Sequence, residues 1–266
     1  MKFTWPWPLL AVMGILGGVL LLAPLWYGVD PLNLDLMHLM QSPAWAVPLG
    51  TDELGRDVLA RLAMGVRLSV GVGLAVVLVA GTVGVTVGLL SGYLGGWVDM
   101  VLMRVTDVFL SFPGILIAIA FAALAGPGVG NVVAALCLMG WVGFARLARA
   151  QTLSLRREEF VQAARVCGTP GGVIMARHIL PNIAAPLIVE AVFAMAGAMI
   201  AEAGLSFLGI GVQPPAPSLG SMLREGARYM LVAPHLVLAP GLVLMLLVLA
   251  LNLLGDQLRD KLDAHA

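Results

Sequence analysis

Residues 158–182 read EEFVQAARVCGTPGGVIMARHILPN, a polar, punctuated passage in a chain that is otherwise almost continuously apolar. A helix starting near Glu158 is predicted to stop at Gly168, the residue best able to adopt the left-handed conformation that closes a helix C-terminus. Thr169 can then N-cap a second helix with Pro170 at its first position, where the missing N–H is no loss. That second helix should end before Pro181, because proline disfavours helical geometry at Leu180. It carries Val173, Ile174, Ile179 and Leu180. Two readings fit these aliphatics: they plug into a groove on a partner, or they pack on the ends of the protein's own spans.

Outside this passage the sequence is a membrane protein's. With 60% hydrophobic and 11% charged residues and a mean hydropathy of +0.99, it cannot cover a water-facing surface. About 20 apolar residues are needed to cross a hydrocarbon core. Such runs fall at Leu9–Gly28, Leu68–Leu90, Val105–Ala125, Val132–Arg149, Ala185–Ile210 and Leu236–Gly255. Short alternating strands are absent, so the expected fold is an all-α bundle of six transmembrane helices. Pro113 should kink the third span.

Charge sets the orientation. An inside N-terminus places Lys2, Arg104, Arg146, Arg149, Arg156, Arg157, Arg165, Arg177, Arg259 and Lys261 in the cytoplasm, and only Arg56, Arg61, Arg67, Arg224 and Arg228 outside. That excess puts both termini and the 146–182 loop in the cytoplasm. The first run lacks a small-residue cleavage site and reads as a retained anchor.

On the outer side, Thr51 is a candidate N-cap, Asp52 and Glu53 suit a helix N-terminus, and Leu54, Val58 and Leu62 share one helical face. These features predict an amphipathic helix at the outer interface, feeding the second span. The loop after Ile210 is proline-rich, gains a short helical pattern after Ser218, and should fold back on the bundle. The chain accordingly divides into residues 1–66, the first span and outer interfacial segment, and residues 67–266, a five-helix core with the cytoplasmic loop.

Isolated polar residues inside the spans are candidate functional groups. Glu202, deep in the fifth span, is expected to line or gate a translocation path together with Ser206, the competing reading being hydrogen-bonded packing. Glu190 should be interfacial, and Arg104 with Asp107 an ion pair. Gly84, Gly88 and Gly92 form a ridge that would let another helix approach closely, in this subunit or another. Cys137 and Cys167 suggest neither a disulfide nor a metal site, and His38, His178, His235 and His265 are scattered without metal-ligand spacing.

Five ordered blocks carry a resemblance. QAARVCG at 162–168, followed after nine residues by HILPN at 178–182, resembles the EAA loop of permease subunits of bacterial ATP-binding-cassette importers. PLGTDELGRDVLARL (48–62), MRVTDVFLSFP (103–113), EAGLSFLGIGVQPPAPSLGSML (202–223) and ALNLLGDQLRDKLD (250–263) resemble the second permease of the dipeptide, oligopeptide and nickel importer group. The resemblance implies a type I importer permease fold with a cytoplasmic coupling helix in the bacterial inner membrane. It assigns ATPase coupling to Gln162, Ala163, Ala164, Gly168, Thr169, Pro170, Ile174, His178, Leu180, Pro181 and Asn182. The outer-segment motif falls on Gly50, Thr51, Asp52, Gly55, Arg56 and Asp57. Gln162 stands where the family usually has Glu; it keeps an acceptor but loses a charge, which Glu158 or Glu159 could supply.

The implied partners are a homologous permease forming a heterodimer, two ATPase subunits, an extracytoplasmic substrate-binding protein and the lipid bilayer, with no nucleic acid. The implied cargo is a dipeptide, oligopeptide, nickel or a metal chelate. No GxxxxGK[ST] cradle is present, so no cofactor is expected on this chain, and ATP and Mg belong to the ATPase subunits. The segment Pro170 to Leu180 would then move as a rigid lever, with Gly168 as its hinge or turn. Two rivals fare worse. A serine protease using Ser206 and His235 leaves the cytoplasmic motif unexplained, and a secondary transporter should show inverted repeats.

Overall fold

The computed structural model describes residues 27–263 together with Gly14, Gly18 and Leu22. The first expected span, Leu9–Gly28, therefore lies almost wholly outside the described residues. The remainder is helical: α1 Val58–Leu94, α2 Gly96–Leu110, α3 Gly114–Ala125, α4 Val129–Leu155, α5 Glu159–Val166, α6 Gly171–Phe207, α7 Leu219–Ala227 and α8 His235–Asp263. Four of these, α1, α4, α6 and α8, are long and apolar enough to span a bilayer.

The third expected span is two helices. α2 and α3 meet at 81° across Ser111, Phe112 and Pro113, so the kink foreseen at Pro113 is a full break. Pro113 has an extended ψ of 116° and offers no N–H to the turn before it, so the helix ends and restarts. The ion pair fixing α2 is also not the expected one. Among the described residues Arg104 and Asp107 do not pair; instead Arg149 Nη2 on α4 donates to Asp99 Oδ2 at 2.6 Å.

The glycine ridge is internal to this chain. Gly84, Gly88 and Gly92 of α1 face α4, and a Cβ on them would lie 2.6 Å from Phe144 Cβ, 2.6 Å from Ala148 Cβ and 2.7 Å from Thr152 Cβ respectively. The carbonyls of Trp141 and Ala145 would be closer still to the first two. Only hydrogen fits at this crossing, and the close approach gives the backbones extensive van der Waals contact that lipid cannot replace.

At the other end of α1, the helix expected to feed the second span is continuous with it, but starts later than expected. Thr51 is not an N-cap; it lies in an isolated bridge with Asp57. Asp57 caps instead, accepting from the Ala60 N–H at 2.8 Å, and α1 runs unbroken from Val58 through residues 66 and 67 to Leu94. Val58, Leu62 and Val66 are buried against Leu219, Met222 and Leu236. Leu54, expected on the same face, is exposed in the preceding turn. The helix after Ser218 is present as α7, with Ser218 and Ser221 completing a reciprocal capping box. It packs back on α1 and α8, as expected.

Candidate functional site

The 158–182 passage forms a short helix, a tight turn and the start of α6. α5 closes with two bonds, Gly168 N–H to Arg165 O at 2.9 Å and Thr169 N–H to Ala164 O at 3.1 Å. These are the two bonds of a Schellman cap, and Gly168 has the required positive φ of 78°. The next cap falls one residue later than expected: Pro170, at ψ 140°, is the N-cap, and no side chain closes the turn. The Pro170 carbonyl takes the N–H groups of Val173 and Ile174.

Pro181 does not end the second helix. A π turn at Met175–Ile179 precedes it, in which the Leu180 N–H reaches Met175 O. The wider turn absorbs the missing Pro181 donor and the bulk of its ring, so the chain continues as helix to Phe207. Residues 171–180 are thus continuous with the rest of α6 and do not form a free-standing transverse helix.

The partner-groove reading of the aliphatics is corrected as well. Ile174 and Ile179 are fully buried against Leu89, Phe144, Ala148 and Val161 of the same chain, with Leu180 packed beside them. Only Val173 remains exposed. The face left open carries Glu158, Glu159, Gln162, Ala163, Gly168, Pro170, Pro181 and Asn182, with Phe160 and an 88% exposed Val166 between them. Gln162 Nε2 donates to Arg156 O at 3.3 Å, which occupies its amide with local structure. The loop is tied to the end of α1 by Arg156 Nη1 donating to Gly92 O at 2.9 Å and by Arg165 stacked 4.8 Å above the Tyr93 ring. Asn182 Nδ2 donates back to His178 O at 2.6 Å.

Glu202 and Ser206 are both enclosed within the chain. Glu202 is 0% exposed. Its carboxylate accepts from Ser69 Oγ at 2.8 Å and Ser206 Oγ at 2.7 Å, and Ser206 Oγ accepts in turn from the Val212 N–H at 3.1 Å. Glu202 thus joins α1, α6 and the following turn, and the same bonds commit the Ser206 hydroxyl away from His235. We expect Glu202→Ala to lower the thermal stability of the purified protein. It leaves two buried hydroxyl donors unpaired, each worth about 1–3 kcal/mol. Glu202→Gln, which retains one acceptor, should lose less. Thermal melting checks the order, and equal stability of all three proteins would refute it.

The 48–57 motif builds a second polar centre that the periodicity of the sequence did not reveal. Asp52 Oδ1 accepts from the N–H groups of Leu54 and Arg56, both at 2.9 Å, while a side chain at Gly55 would strike the Asp35 carbonyl and one at Gly50 the Gln41 carbonyl. Thr51 Oγ1 donates to His38 O at 2.6 Å. Arg56 Nε meets Asp52 Oδ2 at 2.6 Å; Arg61 Nε meets the same oxygen at 3.2 Å, and Arg61 Nη2 meets Glu225 Oε2 at 2.8 Å. Burial pushes the Glu225 carboxyl up from its ordinary value, and the Arg61 guanidinium pulls it back. The only advance signal of Arg61 and Glu225 was charge within otherwise apolar helical patterns.

With this geometry in view, comparison with known proteins is direct. Residues 84–266 match the family described as binding-protein-dependent transport system inner membrane component. The chain is 45% identical over 229 residues to the glutathione transport system permease protein GsiD of Pectobacterium atrosepticum, covering 86% of this chain and 76% of that protein. It is 43% identical over the same length and shares to GsiD of Escherichia coli O6:K15:H31. Its fold is similar to a chain of the inward-facing MetNI methionine ABC transporter, with a TM-score of 0.61 and 18% identity over 75% of this chain and 95% of that one. The sequence blocks, the helical bundle and these matches agree: the chain belongs to the family of inner membrane components of binding-protein-dependent transport systems, as a multi-pass permease subunit of an ABC importer.

Proposed function

We propose that this permease forms half of the translocation path of an importer for short peptides of the glutathione class. The carrying observation is 45% identity, over most of its length, to a glutathione transport permease. Glutathione is itself a tripeptide, so this reading narrows the peptide expectation and leaves nickel and metal chelates as outcomes of the test. In this reading a homologous permease supplies the other half, a binding protein delivers cargo from outside, and two ATPase subunits hold ATP and Mg. Both termini and the 146–182 loop face the cytoplasm. The open face from Glu158 to Asn182 docks an ATPase, and its motion passes into α6 without an intervening joint.

The test is ATP-dependent uptake by the assembled importer in proteoliposomes. Labelled glutathione should enter, and unlabelled di- and tripeptides should compete. Nickel uptake without peptide uptake would overturn the cargo. Coupling is tested at Gly168. A β-branched side chain in the left-handed conformation costs roughly 1–2 kcal/mol, so Gly168→Val should insert stably yet lose several-fold of its transport, whereas Gly168→Asn should stay close to the native protein. Equal uptake by both variants would overturn the role of this turn.

A further inference from the structure

α6 carries two glutamates in contrasting states. Glu202 is fully enclosed and satisfied by two serines. Glu190, twelve residues earlier and about 18 Å nearer the loop end of the bundle, is only partly buried. Among the described residues its carboxylate makes no hydrogen bond or ion pair. An unpaired carboxylate within a span is unfavourable unless it faces a polar cavity or a partner.

Glu190 does face a cavity. A space of about 590 Å³ opens between α4, α6 and α8, bordered by Gln151, Asn182, Pro186, Glu190, Phe193 and Arg259. That volume suits a di- or tripeptide. Gly143 of α4 lets the carboxylate settle against bare backbone, since a Cβ there would lie 2.8 Å from Glu190 Oε1. Pro186, inside α6, has no N–H to return to the Asn182 carbonyl. The Glu190 carboxylate and Asn182 therefore lie on one wall of the cavity, along α6.

We propose that this cavity is a recognition site for a free-amine peptide, with Glu190 receiving its ammonium group. The proposal deepens the peptide-importer reading and rests on it for the identity of the cargo. The same ammonium chemistry is carried by a phosphatidylethanolamine headgroup, so the experiment separates the two.

The assembled importer, in nanodiscs free of phosphatidylethanolamine, is treated with a hydrophobic carbodiimide, and the N-acylurea adduct at Glu190 is quantified by peptide mass spectrometry. The location control is Glu190→Gln, which should give no adduct at that position. Saturating free-amine peptides, drawn from a panel of di- and tripeptides that includes glutathione, should lower the adduct several-fold, while their N-acetylated forms should not. Equal effects of both forms, or none from either, overturn the site whatever the cargo proves to be. Protection in nanodiscs containing phosphatidylethanolamine but no peptide, with none by peptide alone, assigns the cavity to lipid and overturns the cargo assignment. In uptake, Glu190→Gln should raise the half-saturating concentration of a free-amine peptide roughly tenfold, the loss expected for one charge-assisted hydrogen bond. Peptide uptake with unchanged half-saturation overturns the site alone, whereas absence of glutathione uptake by the native importer overturns only the cargo reading.

Discussion

Replacing Gly88 by leucine should leave almost no folded permease. A Cβ at this position already lies 2.6 Å from Ala148 Cβ and nearer still to the Ala145 carbonyl, and the obstructing atoms belong to the facing helix, which has no flexible end to swing aside. Inserting methylenes into a well-packed core costs about 1–3 kcal/mol even where side chains can yield. Here α1 and α4 would have to separate along their length, which also disturbs the neighbouring contacts at Gly84 and Gly92. Gly88→Ala should be destabilised measurably, and Gly88→Leu should be lost to aggregation or degradation. Gly71→Ala is the matched control on the same helix, because nothing lies within 4 Å of a Cβ there. Size-exclusion profiles of the detergent-extracted proteins check the order. A monodisperse Gly88→Leu protein with native melting behaviour would show that the ridge is not a packing seam.

Removing the guanidinium of Arg61 should be the next most damaging change. Arg61 is 2% exposed and bridges Asp52 and Glu225, residues on segments far apart in the chain. Breaking a buried pair by deleting one partner typically costs 3–5 kcal/mol, because the remaining charge stays buried and uncompensated. Arg56 can reach both acids and also meets Glu53 Oε1 at 3.4 Å, but one cation cannot replace two against three carboxylates. For Arg61→Met we expect a fall in melting temperature on the order of 10 °C. The double variant Arg61→Met/Glu225→Gln should recover part of that loss, since it removes the stranded charge together with its partner. Strictly additive single effects would mean that the two residues do not interact energetically. Arg61→Lys is not a conservative control, as a single ammonium cannot span both acids in a fixed fork.

The two predictions share a cause. Each rests on residues whose chemistry is plain in the sequence and whose partner is not. A glycine every fourth position announces a close helix approach but not the helix approached, and α4 was one choice among several, including a second subunit. Arg61 and Glu225 are 164 residues apart, and no local periodicity links them. By contrast, the left-handed cap at Gly168 and the helix after Ser218 were both legible, because capping depends on a few consecutive residues.

Proline marks the same boundary between local and tertiary control. Pro113 and Pro181 carry the same local defect, a missing N–H and an obstructive ring. At Pro113 the helix breaks by 81°; at Pro181 a π turn absorbs the defect and the helix continues. The difference lies in the surroundings. Ile174, Ile179 and Ile183 are buried on either side of Pro181, so breaking there would expose a packed face, whereas Phe112 beside Pro113 is exposed.

By itself the amino-acid sequence determined a helical membrane permease, the position of four of its long spans and the cap at Gly168, because hydropathy, caps and short motifs act over one element at a time. Only the tertiary structure decided which groups serve packing and which remain available. It enclosed Ile174, Ile179, Glu202 and Ser206, expected at a docking face or along a path, and left Glu190 unpaired beside a cavity. The reason is physical: whether an apolar or charged side chain is satisfied depends on the atoms that surround it, and those atoms are contributed by distant parts of the chain.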